Sequence, residues 1–197
     1  MALFVAVLPI TSHAQTPVEQ MPKGEYELDK GHASLIWKVS HLGLSDYTAR
    51  FTNFDATITL NPTSPEKSSL VATVDPTSIE TDYPGEKNFD EELINKEQWF
   101  NASQYPVIKF ESTSIEKTGD NTGIITGDLT FLGVTKPMTL DVTFNKAMEK
   151  QPFSGKPTLG FSATGTLERS KWGMDTYVPN IGDKVELLIE VEFAKAN

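Results

Sequence analysis

The stretch KVELLIEVEFAK, residues 184–195, decides the fold class, because apolar and charged side chains alternate along most of its length. Successive side chains of a β-strand point to opposite faces of a sheet, so a period of two is typical of a strand with one buried face. The stretch therefore predicts a strand that turns one face towards a core. That face consists of Val185, Leu187, Ile189, Val191 and Phe193, with Glu186, Glu190 and Glu192 opposite.

The same alternation recurs upstream, in segments separated by turns that contain Gly, Pro or Asn. Gly133–Pro137 predicts a tight turn, residues 117–121 a hairpin loop, and residues 171–182 a longer excursion before the last strand. About eight strands joined mostly by short loops are typical of an all-β, eight-stranded antiparallel barrel. The strands predicted before the last one are residues 32–40, 48–60, 68–75, 106–116, 122–132, 138–146 and 158–170.

One segment between the third and fourth strands lacks alternation. Residues 86–99 are rich in helix formers and predict the one helix, with Phe89, Leu93 and either Trp99 or Phe100 on its buried side. Acidic side chains in its first turn suit the positive end of the helix dipole, and we interpret them as a solvated face.

Length and composition restrict the functional classes. A chain of 197 residues fits one domain, and its 38% hydrophobic content is ordinary for a globular protein. The formal net charge of −10 and the absence of a basic stripe argue against a nucleic-acid partner. The chain has no cysteine, which excludes disulfides, thiol nucleophiles and zinc sites built on Cys.

The N-terminus predicts export. Residues 1–10 read MALFVAVLPI, and Ser12 and Ala14 match the small residues before a signal cleavage site. We therefore divide the chain into a signal peptide, residues 1–14, an N-terminal arm, residues 15–24, and one domain, residues 25–197. The positively charged n-region is missing, so the signal is atypical or the start lies inside a longer one. A first strand or a buried helix is the alternative.

The predicted interior mixes bulky and small side chains. A barrel of about eight strands either fills its interior with side chains or admits one small ligand. Small inward residues favour an open interior, but they also suit the taper of a packed barrel, and the pattern leaves both open. These residues are Ala56, Ala72, Gly127, Ala163 and Gly165.

Chemical groups typical of catalysis are scarce. His32 and His41 lie at opposite ends of one predicted strand, roughly 30 Å apart, which is too far for one metal ion. No nucleophile elbow, phosphate loop or HExxH motif is present. Arg169 and Trp172, where a strand leaves the barrel, and Arg50 beside Phe51 could meet a polar headgroup, or could simply cover the rim with snorkelling side chains.

Several motifs in order resemble the YceI family of polyisoprenoid-binding, lipocalin-like proteins. The resemblance spans almost the whole mature chain, and the segment GDLTFLGVTKP at residues 127–137 is its most specific part. One departure concerns the helix, where relatives often have a histidine before the leucine and this chain has Glu92, so a headgroup role of that histidine cannot be transferred. Further matching stretches are YELD (26–29), HAS (32–34), SHLGLS (40–45), ARFTNFDA (49–56), SIET (78–81), YPVIKFES (105–112), GFSA (160–163), RSKWGM (169–174) and IGDKV (181–185).

The resemblance implies an eight-stranded lipocalin-like barrel with a helix after the third strand and an elongated apolar cavity. It also implies a periplasmic carrier of a polyisoprenoid, an isoprenoid quinone or a similar amphiphile. We expect no enzymatic activity, no required cofactor, no metal and no stable membrane insertion, while a homodimer stays open. Contacts are predicted from Phe51, Phe54, Phe110, Phe131, Phe144, Phe161 and Trp172 in the wall, and from Arg50, Arg169, His32 and His41 at the headgroup or rim.

Two other functions remain open at this point. An enzyme acting on an apolar substrate in a barrel would need an ionisable group with a perturbed pKa inside the lumen. An outer-membrane barrel also alternates, although this chain lacks clear aromatic girdles and ends in Ala194-Lys195-Ala196-Asn197.

Overall fold

A computed structural model of the protein describes residues 16–197, and the predicted signal, residues 1–14, lies outside them. The described chain forms an antiparallel sheet of ten strands and one α-helix. The elements are β1 (Gly24–His41), β2 (Ser45–Phe51), β3 (Phe54–Leu60), β4 (Ser69–Val74), β5 (Ile79–Glu80), α1 (Phe89–Asn95), β6 (Ile108–Lys117), β7 (Thr122–Phe131), β8 (Val134–Met148), β9 (Thr158–Glu168) and β10 (Ile181–Lys195).

The sheet closes into an eight-stranded barrel because two pairs of strands act as single interrupted strands. β2 and β3 both pair with β1, at its C-terminal and N-terminal halves, and β4 and β5 pair with β3 and β2 in turn. β1 also pairs with β10 along most of its length, which joins the first strand to the last. The predicted barrel, with its helix between the third and fourth strands, is confirmed.

The predicted strand 48–60 is interrupted at Thr52 and Asn53. The backbone N–H of Thr52 donates to the carbonyl of Ser78, and the carbonyl of Asn53 accepts from Asp75. The neighbouring strand breaks at the same level, where the Asp75 side chain caps a short 3₁₀ turn by accepting from the N–H of Thr77. Two adjacent breaks therefore bend this side of the barrel without opening it.

Several predicted boundaries were wrong by a few residues or more, including those of the helix, the first strand and the tight turn. Helix α1 is shorter than residues 86–99, because Asn88 caps its N-terminus and Lys96 ends it in an extended conformation. The first strand begins at Gly24 rather than at residue 32. The tight turn is confined to Leu132 and Gly133, both with positive φ, and the rest of Gly133–Pro137 already belongs to β8.

The chain order gives the barrel two distinct ends. We call one the helix end: it carries α1, the β1–β2 turn at residues 42–44, the turn at 132–133 and the segment 169–180. We call the other the terminal end: it carries residues 16–23 and the loops 61–68, 118–121 and 149–157. None of the helices within residues 16–197 has both the length and the hydropathy that a membrane-spanning helix requires.

Candidate ligand-binding cavity

A cavity of about 950 Å³ runs through the barrel between the two ends. Its wall consists of the alternate side chains that the strands turn inward, so the sequence period of two directly produces an apolar lumen. Contact of these side chains with a ligand stays a prediction. All six phenylalanines predicted for the wall line this cavity, namely Phe51, Phe54, Phe110, Phe131, Phe144 and Phe161.

The small inward residues divide into two groups. Ala56, Ala72 and Ala163 line the cavity and keep it wide. A Cβ atom at Gly127 would lie 2.5 Å from the backbone oxygen of Glu111 and would also overlap the Phe110 ring. Gly127 therefore makes room for a neighbouring wall residue rather than for a ligand. The alanines thus fit the open-interior interpretation of the small residues, and Gly127 fits the packed-barrel interpretation.

Aromatic side chains gather at the helix end of the cavity. The rings of Trp37 and Tyr47 lie 6.4 Å apart, and Phe89 on α1 contacts Tyr47 edge-on at 6.1 Å. Tyr83 lies 5.4 Å from Phe89, between ring centroids. All four side chains line the cavity, and three of them, Trp37, Tyr47 and Tyr83, add a polar group to a wall that elsewhere consists mainly of aliphatic and phenylalanine side chains.

The indole nitrogen of Trp37 is the exceptional atom of this cluster. It is buried and has no hydrogen-bond partner among the described residues. Buried polar groups in native proteins are almost always paired, so an unpaired one requires an explanation. Sequence reasoning missed it, although a tryptophan among aliphatic residues on the inward face of β1 was a readable signal.

Glu92 also lines the cavity at the helix end. Its carboxylate pairs with Lys87 and with Lys96, whose Nζ lies 2.7 Å from Oε1, and its side chain is only 15% exposed. The acidic first turn was interpreted as a solvated face, but Glu92 is turned inward and neutralised by two lysines. A charge buried this far is tolerated because it is paired.

Arg169 is a structural residue rather than a free headgroup donor. Its side chain is buried, and Nε donates to the carbonyl of Gly182 at 2.9 Å. The terminal nitrogens donate to the carbonyls of Met174, Thr176 and Ile181 at 2.8–2.9 Å. The guanidinium lines the cavity but uses its donors to hold the segment that follows β9.

Trp172 does not lie in the cavity wall where the sequence placed it. It follows β9 in a short 3₁₀ turn, which breaks the alternation, so the ring packs behind the wall with Leu129 and Phe131. Its Nε1 donates to the carbonyl of Leu129 at 3.2 Å, and the side chain is buried. The sequence predicted a wall or rim residue, whereas the turn makes Trp172 part of the core.

Arg50 and His32 lie on the outer surface and do not line the cavity. Arg50 faces away from its neighbour Phe51, and its Nε donates to Glu80 at 2.9 Å. This carboxylate raises the pKa of Arg50, first through the hydrogen bond and then through its charge. His41, at the end of β1, does line the cavity at the helix end.

His32 belongs to a surface cluster that sequence reasoning missed. Ligand atoms of Asp29, His32 and Glu192 lie within 4.8 Å of one another, although the sequence suggested no metal site. The Nδ1 of His32 contacts Asp29 Oδ2 at 2.9 Å, and this hydrogen bond, followed by the two carboxylate charges, raises the pKa of His32. An imidazole must be neutral to bind a metal, and the raised pKa of His32 favours its protonated form, so this arrangement suits an exposed ion pair better than a metal.

The terminal end of the cavity has a different chemistry. Its lining includes the carboxylates Glu19, Glu66, Glu116 and Asp120, with Lys117 beside them. The two ends thus differ in charge: one is predominantly acidic, and the other combines aromatic rings with paired or carbonyl-bound charges.

Comparison with known proteins is consistent with this geometry. The family model for the YceI-like domain matches residues 26–193. A UPF0312 protein of Pseudomonas putida is 36% identical over 157 residues, which cover 79% of each chain. The crystal structure of the Campylobacter jejuni YceI protein superposes with a TM-score of 0.69 at 29% identity, covering 80% of this chain and 90% of that one.

A third comparison concerns the fold alone. A polyisoprenoid-binding domain from Saccharophagus degradans superposes with a TM-score of 0.65 at 12% identity. The superposition covers 88% of this chain and 100% of that domain. At this identity, the likeness establishes the shared barrel architecture.

Proposed function

The chain belongs to the YceI-like domain family, and from this membership we propose that it binds and carries a long-chain amphiphile of the polyisoprenoid class. The observation that carries the proposal is the cavity of about 950 Å³, which passes from the helix end to the terminal end and is lined mainly by apolar side chains. A structural neighbour is described as a polyisoprenoid-binding domain, which supports the same class of ligand.

Burial of the chain supplies the affinity in this proposal. Each CH₂ group removed from water contributes about 0.8 kcal/mol. A prenyl chain carries many such carbons, so apolar contacts with Phe54, Phe144 and Phe161 suffice for tight binding without a cofactor. Polar contacts then select the ligand rather than hold it.

Binding fits the geometry better than catalysis does. The inward carboxylate at the helix end, Glu92, is already paired with Lys87 and Lys96. A general acid or base needs a proton that it can exchange with a substrate. Assays of purified protein with the extracted lipid, scored for chemical change of that lipid, distinguish an enzyme from a carrier.

We further propose that the protein is exported to the periplasm, as the composition of residues 1–14 suggests. Cell fractionation should then recover it from the periplasmic fraction. Mass spectrometry of the mature protein should find an N-terminus at Gln15. Recovery of full-length protein from the cytoplasm would overturn this part of the proposal.

The direct test of the carrier function is extraction of lipid from protein purified in detergent-free buffer, followed by mass spectrometry. We expect a prenyl-chain lipid in stoichiometric amount. Ala163→Phe should strongly reduce this recovery, because Ala163 lines the cavity between β8 and β10 and the added ring projects into the path of a long chain.

A matched control lies on the same strand. Thr164 is exposed on the outer face, so Thr164→Phe adds the same ring outside the barrel and should leave recovery unchanged. Folded wild-type protein without any lipid, and without affinity for added prenyl lipids, would contradict the proposed function.

A further inference from the structure

We propose that the polar end of the ligand lies at the helix end of the cavity and presents a neutral hydrogen-bond acceptor, of the carbonyl class, to the indole N–H of Trp37. This inference rests on the proposed function and specifies the polarity and chemistry of its ligand. It assigns Trp37 as a specificity-determining residue.

The first argument is the pairing state of Trp37. Within residues 16–197, its Nε1 is the buried side-chain nitrogen that lacks a hydrogen-bond partner. The ring lies in the cavity wall, between the register partners Ala49 on β2 and Leu187 on β10. Trp172 provides the contrast, because its N–H is paired with the backbone carbonyl of Leu129. An acceptor inside the cavity would satisfy the Trp37 donor in the same way.

The second argument is that several other donors at this end are already used, while His41 and Tyr83, which also line it, are exposed to water. The Tyr47 hydroxyl lies 3.4 Å from the carbonyl of Thr81, to which it donates. Arg169 donates to four backbone carbonyls, and Lys87 pairs with Glu92. A neutral acceptor needs one neutral donor, whereas an anionic headgroup would need an unpaired cation.

The third argument is the charge of the opposite end. Glu19, Glu66, Glu116 and Asp120 line the terminal end, with Lys117 as the accompanying cation. The carboxylates repel an anion there. Donors such as Lys117, Asn121 and Thr122 also line this end, but they are exposed to water, so a carbonyl that replaces a water there gains little. The apolar tail therefore points towards the terminal end, and the acceptor remains near α1.

The experiment compares two ligands with the same carbon skeleton. Decyl-substituted benzoquinone carries carbonyl acceptors, and decylbenzene does not. Trp37→Phe removes the N–H and keeps an aromatic ring in the wall. We expect this variant to bind the quinone about three- to tenfold more weakly, the range of one hydrogen bond, and to bind decylbenzene like the wild type.

Trp99→Phe is the matched control, since Trp99 also lines the cavity but its ring contacts Tyr177 and Arg169. It should change the affinity for both ligands equally. An equal change for both ligands in Trp37→Phe would overturn the assignment while leaving the carrier function intact. Failure of wild-type protein to bind either ligand would instead overturn the proposed function.

A second readout uses wild-type protein and does not depend on folding of the variant. The indole ¹H–¹⁵N NMR signals are assigned with Trp99→Phe and Trp172→Phe. The Trp37 proton should shift downfield with the quinone, as hydrogen bonding requires, and should not do so with decylbenzene. An unshifted Trp37 signal in the quinone complex would overturn the proposal.

Discussion

The helix end and the terminal end of the barrel are built from the same alternating strands but are closed by different chemistry. At the helix end, aromatic rings and a buried arginine organise long connections. At the terminal end, hairpins and the N-terminal residues meet a lining with four carboxylates. The comparison shows that alternation along the strands produces the lumen, whereas the connecting segments determine which ligand groups each end can bind.

This contrast extends to stability. Arg169 ties the segment 169–182 together through backbone carbonyls, so its loss affects many residues at once. The terminal end depends on smaller local contacts, such as the hydroxyl of Tyr26 donating to the carbonyl of Pro22 at 2.8 Å. Substitutions at the two ends should therefore differ in size.

The largest effect is expected from Arg169→Met. The substitution keeps an apolar stem but leaves buried carbonyls without their donor, which should lower the free energy of unfolding by about 3–5 kcal/mol. Chemical denaturation in urea measures this difference. Burial lowers the pKa of Arg169, while the negative charges of Asp183 and Asp175 raise it in part. The arginine nevertheless stays protonated at neutral pH.

Arg50→Met provides the control, because Arg50 forms an exposed ion pair with Glu80. Exposed pairs contribute little, so we expect a loss of less than about 1 kcal/mol. Equal losses in the two variants would show that Arg169 does not organise the helix end.

The next effect concerns the terminal end. Tyr26 is fully buried, and Tyr26→Phe leaves the Pro22 carbonyl without its partner, which should cost about 1–2 kcal/mol. Burial raises the pKa of Tyr26 to about 12 from its usual 10.0. The protonated hydroxyl therefore contributes stability that is fully present below pH 10.0 and is lost as the pH rises towards about 12.

Urea denaturation of both proteins between pH 8 and pH 12 tests this linkage. The stability difference between wild type and Tyr26→Phe should be constant at lower pH and should shrink above pH 10.0. A difference that does not change with pH would mean that Tyr26 ionises as easily in the folded protein as in the unfolded chain.

The barrel and its phenylalanine wall could be predicted from sequence because both depend on a period of two. Phe110, Phe131 and Phe161 were assigned inward from alternation, and the structure turns them inward. Unbroken alternation through residues 48–60 places Phe51 opposite Phe54, and both line the cavity because the strand is interrupted between them. The strand break at Thr52 was missed because it depends on hydrogen bonds to residues that lie more than twenty positions away.

The roles of Arg169 and Trp37 could not be predicted for a different reason. The partners of Arg169 are backbone carbonyls, which every residue type possesses, so no pattern of side chains in the sequence predicts them. The significance of Trp37 lies in a missing partner, and only three-dimensional packing shows that. Gly127 is similar, because its neighbour across the strand pair, not the ligand, requires the absent side chain.

A smaller effect is expected from changing the charge of the helix end. Glu92→Gln removes the carboxylate that neutralises Lys87 and Lys96. A fatty acid, whose headgroup is anionic, should then bind about two- to fivefold more tightly, and salt should reduce this gain. Fluorescence titration at two ionic strengths measures both quantities.

Glu116→Gln is the corresponding variant at the terminal end. If the headgroup lies at the helix end, this substitution should change fatty-acid affinity less than Glu92→Gln does. The opposite ranking would place anionic headgroups at the terminal mouth and would break the contrast between the two ends.

The smallest effect concerns the outer surface between the two ends. The hydrogen bond to Asp29 raises the pKa of His32 above its usual 6.5, and the same bond lowers the pKa of Asp29 below 3.8. The His32 contribution to stability is therefore present below pH 6.5 and lost as the pH rises through the raised value. The Asp29 contribution is present above pH 3.8 and lost as the pH falls through the lowered value.

NMR titration of the His32 ring should give a midpoint above 6.5 in the wild type and a lower one in Asp29→Asn. Asp55→Asn is the control. Asp55 pairs with Lys30, so this substitution removes an equal charge without changing a contact of His32. If both variants shift the midpoint equally, general surface charge rather than the Asp29 hydrogen bond sets it. If only Asp29→Asn shifts the midpoint, the hydrogen bond to Asp29 sets the pKa of His32, and the surface cluster acts as a local ion pair. The charge difference between the two ends then concerns the lumen and not this outer surface.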